Sequence, residues 1–140
     1  MATAKRTVCI DVDGTLLEYD GFRGEEVLGK PLPSAAEATK QLKEDGWTII
    51  IFTTRGNTDF IANYLKEHDI VFDHINENPN NPKGSNMGKP IAEVYVDDRG
   101  LTFTGSWEGM ANKINNFVSW CDSSEESWDD DVEEIADNVE

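Results

Sequence analysis

The chain is short of cysteine, short of bases and without a long apolar run, and each shortage narrows what it can be. Its two cysteines, Cys9 and Cys121, stand far apart and share no metal-ligand spacing, so they read as the reduced thiols of a cytosolic protein. No stretch approaches the roughly 18 apolar residues that a membrane span needs. The run from Met1 through a brief apolar segment to Asp11 lacks the length and the small-residue cleavage site of a signal peptide. A cytoplasmic protein that engages no membrane is the expectation.

Lys and Arg number 12 against 28 Asp and Glu, a formal net charge of −16. Residues 122–140 hold ten of the acids and no base, which leaves 12 bases and 18 acids, or −6, for residues 1–121. Tight, sequence-independent binding of nucleic acid needs clustered Lys and Arg, so this balance argues against nucleic acid as a tight ligand. It leaves room for an enzyme that touches one phosphate group. With 140 residues, 38% of them hydrophobic, the chain suits one domain around one core. The expected division is a domain over 1–121 and an acidic tail over 122–140. In the tail Trp128, Val132, Ile135 and Val139 recur at helical spacing, the pattern of an amphipathic helix that docks on a protein partner. The acidic composition favours a solvated, flexible end instead.

The body alternates strand and helix. Thr7–Asp11 is a short buried strand. Ser34 is a candidate N-cap, with Glu37 at capping-box spacing, for a helix that buries Ala35, Ala38 and Leu42 and stops at Gly46. Trp47–Thr53 is β-rich and continuously apolar in its middle, as in a strand covered on both faces. Asn57 or Thr58 caps a second helix through Phe60, Ile61, Tyr64 and Leu65. Ile70–Phe72 is expected as a third strand running into His74-Ile75, followed by a polar loop over 76–89. Val94–Val96 is a fourth strand, Leu101–Phe103 a candidate fifth, and Trp107–Trp120 the last helix. Such alternation predicts an α/β fold with a doubly wound, mainly parallel, Rossmann-like sheet. Ligands of that architecture bind beyond the carboxyl ends of the strands.

Those ends carry the chemistry. The first strand runs out into Asp11-Val-Asp13-Gly14-Thr15, the second into Thr53-Thr54-Arg55, and the fourth, preceded by Gly88-Lys89-Pro90, into Asp97-Asp98-Arg99. Four carboxylates in one crevice repel unless a cation sits among them, and all-oxygen ligands beside a phosphate suit Mg²⁺. Protonation of one carboxyl is the other relief, and it supplies a general acid. A carboxylate can attack phosphorus, a second can protonate the leaving oxygen, and Lys89, Thr53 and backbone amides after Asp11 can hold the phosphoryl oxygens.

Asp11-Val-Asp-Gly-Thr-Leu16, Ile49–Thr53, Lys89 and Asp97-Asp98 stand in the order of the four motifs of the haloacid dehalogenase (HAD) superfamily of phosphohydrolases. Residues 7–120 resemble that family, and more narrowly its small cap-less bacterial and phage members. The resemblance implies Asp11 as nucleophile and Mg²⁺ ligand, and Asp13 as general acid/base that also lends the metal its carbonyl. Thr53, Lys89 and Gly14 would serve the phosphoryl group, and Asp97 with Asp98 would complete the metal site. It further implies a phosphatase for a small phosphorylated substrate, metabolite or nucleotide. No large cap domain is expected, only a short flap within 16–32. Arg55, Arg99 and Asn76 are candidate substrate contacts, Arg99 equally a brace for the acids and Asn76 equally a structural loop residue.

Other readings of the same residues are weaker. A calcium loop needs Glu twelve residues into the motif, where Phe22 stands. A phosphoacceptor receiver domain places its acidic pair on the first strand and its phosphorylated Asp on a middle one, the reverse of the order here. A catalytically silent binding module acting through the acidic tail is the remaining alternative.

Overall fold

Two five-residue strands, β1 (Arg6–Ile10) and β2 (Trp47–Ile51), pair in parallel, with Val8 opposite Ile49 and Ile10 opposite Ile51. They form the centre of a four-stranded sheet of order β3-β2-β1-β4, in which β3 (His74–Ile75) flanks β2 and β4 (Val94–Val96) flanks β1. Every pairing in it is parallel. The computed structural model describes residues 6–122, and they fall into two compact units that meet at the Asp97–Asp98 bond. The sheet belongs wholly to the first.

Parallel neighbours need crossovers. Helix α1 (Ala35–Glu44) carries β1 to β2, and α2 (Thr58–Glu67) carries β2 to β3. The chain then reverses and returns to the far edge of β1, so the direction of winding switches between β1 and β4, the place where ligands of such sheets bind. Side chains alternate across a strand, so Val8, Ile10, Ile49 and Ile51 share one face and pack with Ile61, Leu65 and Leu42 of the helices. On the other face Cys9 and Ile50 are buried. There the Cys9 thiol lies 4.0 Å from the carbonyl oxygen of Pro90, in the connection between β3 and β4. Ile49, Ile50 and Ile51 are fully buried, each contributing roughly 1.5–3 kcal/mol, which explains the unbroken apolar run in the sequence.

Four local expectations change. Ser34 precedes α1 but sits in the left-handed region at φ 68° and makes no side-chain cap, whereas Asn57 caps α2 by accepting from the amide of Phe60. The segment 70–72 is not a strand. Its amides turn to the helices instead, Ile70 N–H donating to Leu65 O and Val71 N–H to the buried hydroxyl of Thr39. Pairing with β2 is left to His74–Ile75.

In the second unit, 101–103 carries no strand, and α3 spans only Met110–Asn115. It starts after Gly109 at φ 80° and ends at Asn116, where consecutive asparagines offer the backbone competing hydrogen bonds. The amphipathic pattern of the tail lies outside the described residues. Among those residues no helix is long and apolar enough to cross a membrane.

Candidate active site

β1 and β4 deliver their acids side by side. The amide of Asp11, the first residue past β1, donates to Val96 O at the end of β4 (2.9 Å), which brings Asp97 next to it. Asp11, Asp97 and the adjoining Asp98 each offer one carboxylate oxygen, all within 4.8 Å of one another. Asp11 and Asp98 are half-buried and Asp97 is exposed. An octahedral ion with bonds of about 2.1 Å sets its ligand oxygens roughly 3–4 Å apart. The cluster is close to that spacing, and its hard oxygen donors suit a divalent cation such as Mg²⁺.

The turn after β1 orients these groups. The amides of Thr15, Leu16 and Leu17 all converge on Val12 O, and Gly14 N–H donates to Leu17 O at 2.8 Å. Gly14 takes φ 83°, a conformation that favours glycine. Its amide is thus spent on the turn, and so are the next three. Gly14 shapes the loop rather than offering its N–H to a phosphoryl oxygen. Thr15 Oγ1 donates to Asp11 Oδ2 (3.2 Å) and fixes that carboxylate.

Thr53 follows β2. Its hydroxyl oxygen accepts from the amide of Arg55 (3.1 Å), which leaves its own O–H proton available to donate. Asn76, expected as a candidate substrate contact, works behind it. Asn76 takes the left-handed conformation at φ 59°, accepts the Thr53 amide on Oδ1 (2.8 Å) and donates its own amide to Ile51 O.

Arg55 is placed differently from the expectation of a substrate contact. Only 5% exposed, it grips Asp13 with two parallel bonds, Nε to Oδ2 at 2.8 Å and Nη2 to Oδ1 at 3.0 Å. That hydrogen-bonded carboxylate pushes the Arg55 guanidinium further above its ordinary value, so it stays charged. Arg99 is largely exposed and lies 3.9 Å from Asp98 Oδ2, as a brace would. The same Asp98 oxygen accepts from Ser119 Oγ at 3.3 Å.

The backbone of the loop that carries Lys89 is held by buried asparagines of the segment before it. Buried Asn81 donates from Nδ2 to Lys89 O (3.1 Å) and accepts the Ile91 amide on Oδ1 (2.8 Å). Buried Asn78 donates to Ile91 O, and Tyr95 Oη donates to Pro90 O. The Lys89 ammonium lies 5.3 Å from the centre of the Tyr95 ring, and its charge also bears on Cys9. In sequence these asparagines read only as loop composition. The signal that finds them is their burial.

The fold and the site define a class: an α/β protein with a parallel, Rossmann-like sheet and three acids gathered where β1 and β4 end. A solved structure of a conserved protein from Bacteroides thetaiotaomicron superposes with a TM-score of 0.59 at 21% identity, over 85% of this chain and 97% of that one. Two solved structures of a Pnkp1/Rnl/Hen1 complex, one described as an RNA repair complex, match at TM-score 0.48 and 22% identity. They cover 68% of this chain, which spans only 36% and 39% of theirs. No protein-family model matches the chain, and no curated protein does. The expectation set against nucleic acid is corrected by the RNA-repair neighbours. The physical reason is that an acidic balance weakens tracking along a phosphate backbone, whereas a site gripping a single phosphoryl group needs no basic surface.

Proposed function

We propose that this chain is a Mg²⁺-dependent phosphatase, a phosphoric monoester hydrolase that works through an aspartyl-phosphate on Asp11. One observation carries the reading: Asp11, Asp97 and Asp98 present oxygens within 4.8 Å at the carboxyl ends of adjacent parallel strands. Asp11, Asp97 and Asp98, with the Asp13 carbonyl, would hold the cation, which supplies charge neutralisation for the phosphoryl oxygens. An Asp11 oxygen attacks phosphorus, the bond from phosphorus to the ester oxygen breaks, and Asp13 gives that oxygen its proton. Asp13 then takes a proton from water, whose oxygen displaces the Asp11 carboxylate and releases inorganic phosphate. Thr53 Oγ and the Lys89 ammonium hold the phosphoryl oxygens meanwhile.

The substrate class proposed is a small phosphorylated metabolite or nucleotide, since no large cap insertion screens the site. The test is hydrolysis of p-nitrophenyl phosphate with Mg²⁺ and with chelator, by wild type and Asp11→Asn, followed by a panel of sugar phosphates, nucleotides and end-phosphorylated oligonucleotides. Mg²⁺-dependent turnover that vanishes in Asp11→Asn supports the reading. Turnover surviving in that variant refutes Asp11 as nucleophile.

A further inference from the structure

We propose that Arg55 is a positioning residue that couples a lid, residues 18–30, to the side chain of Asp13. What Asp13 does rests on the phosphatase reading, but the coupling can be measured without any turnover. A guanidinium has five N–H donors in a rigid fork. Besides the two on Asp13, Arg55 directs Nη1 at Gly24 O (2.8 Å) and Glu25 O (3.0 Å), and Nη2 at Val27 O (3.1 Å). One buried cation therefore ties three lid carbonyls and one carboxylate together.

The lid is a strap closed at its base and docked at its tip. Its base is set by Glu18 N–H to Lys30 O at 2.8 Å, and the backbones there run so close that a side chain on Gly29 would meet Glu18 O. Its tip rests on the segment that carries Arg55. Gly56 N–H donates to a Glu25 carboxylate oxygen, Asn57 Nδ2 to Glu26, and Tyr64 Oη to Gly29 O. Under it lies a cavity of about 150 Å³ walled by Glu18, Tyr19, Arg23 and Leu28 together with Asp13 and Arg55. A group entering that cavity meets the lid and the ion pair at once.

The coupling follows from the cost of burial. A guanidinium this buried is tolerated because a carboxylate faces it, so removing the Asp13 charge weakens the hold on the lid carbonyls. Lifting the lid takes away three acceptors, opens Arg55 to water and loosens its grip on Asp13. Thermodynamic linkage makes the two effects equal. Both carboxylate oxygens of Asp13 accept from Arg55, so the position of the lid sets how firmly that side chain is held in place.

The test uses the full chain and hydrogen exchange read by mass spectrometry, following peptides over 24–29, with 47–51 as control for the fold. In Asp13→Asn, where Arg55 is untouched, exchange over 24–29 is expected to rise roughly tenfold, with 47–51 unchanged. Exchange within twofold of wild type overturns the coupling and leaves Arg55 as a simple lid anchor.

Arg55→Lys gives a second reading should Asp13→Asn disturb the control peptide. A displaced general acid matters most for a poor leaving group. The kcat ratio of p-nitrophenyl phosphate to phenyl phosphate should therefore rise roughly tenfold in Arg55→Lys, with KM nearly unchanged. Equal losses on both esters overturn the positioning role. A wild type without Mg²⁺-dependent hydrolysis refutes the phosphatase reading alone, because the exchange experiment still decides the coupling.

Discussion

Replacing Asn81 by alanine tests whether the loop carrying Lys89 owes its shape to buried amides. Asn81 is 8% exposed and makes two side-chain bonds to that loop, accepting the Ile91 amide at 2.8 Å and donating to Lys89 O at 3.1 Å. Each bond is worth about 1 kcal/mol net, and stranding partners shielded from water adds to the loss, so the expected cost is about 2–3 kcal/mol. Pro90 and Asn78 keep the neighbouring contacts, so the loop should loosen without the sheet opening. With a urea m-value of roughly 2 kcal/mol/M, the unfolding midpoint should fall by about 1–1.5 M with m unchanged. Exposed Asn80→Ala is the comparison, expected within about 0.5 kcal/mol of wild type. Circular dichroism in urea reads both. An Asn81→Ala midpoint no lower than that of Asn80→Ala would refute the clamp. If Lys89 holds a phosphoryl group, Asn81→Ala should also raise KM for p-nitrophenyl phosphate.

Three further outcomes are expected. Burial pushes the Cys9 thiol up to about 11, with Lys89 opposing, so the fold favours the neutral thiol. That stabilisation is complete below about pH 9 and is lost as pH rises toward 11, an effect of up to about 2–3 kcal/mol. A Tm series from pH 9 to 11 should fall more steeply for wild type than for Cys9→Ala, and parallel curves would contradict it. Gly29→Ala forces a methyl group against Glu18 O, which an ideal Cβ would approach to 2.1 Å. The lid must shift, with roughly tenfold faster exchange over 24–29 as the readout. Mg²⁺ at a hundredfold excess over its Kd should stabilise the native chain by about 2.7 kcal/mol. Chelator, or Asp97→Asn, should remove most of the accompanying rise in Tm.

Much of the fold was written in short-range pattern. The apolar run Ile49–Ile51 announced a strand covered on both faces, Asn57 announced its helix, and strand–helix alternation announced a parallel sheet, because each rests on local periodicity or a single cap. Asp11, Thr53 and Asp97 likewise marked where β1, β2 and β4 run out before any strand was placed. Where local signals competed with neighbours, the sequence misled. Ile70–Phe72 has strand composition, yet Leu65 O and the Thr39 hydroxyl take its amides. Ser34 and Glu37 have capping-box spacing, yet the chain enters α1 through a left-handed residue.

What only tertiary structure decided is which polar groups spend their hydrogen bonds on one another. Arg55 read as a substrate contact because a sequence shows a charge and not its five partners, two on a carboxylate 42 residues away and three on lid carbonyls about 30 residues away. Asn78 and Asn81 read as loop polarity because amides look alike until burial shows which must be satisfied. Residue identity fixes what a group can donate or accept. Only packing, by excluding water, fixes to whom.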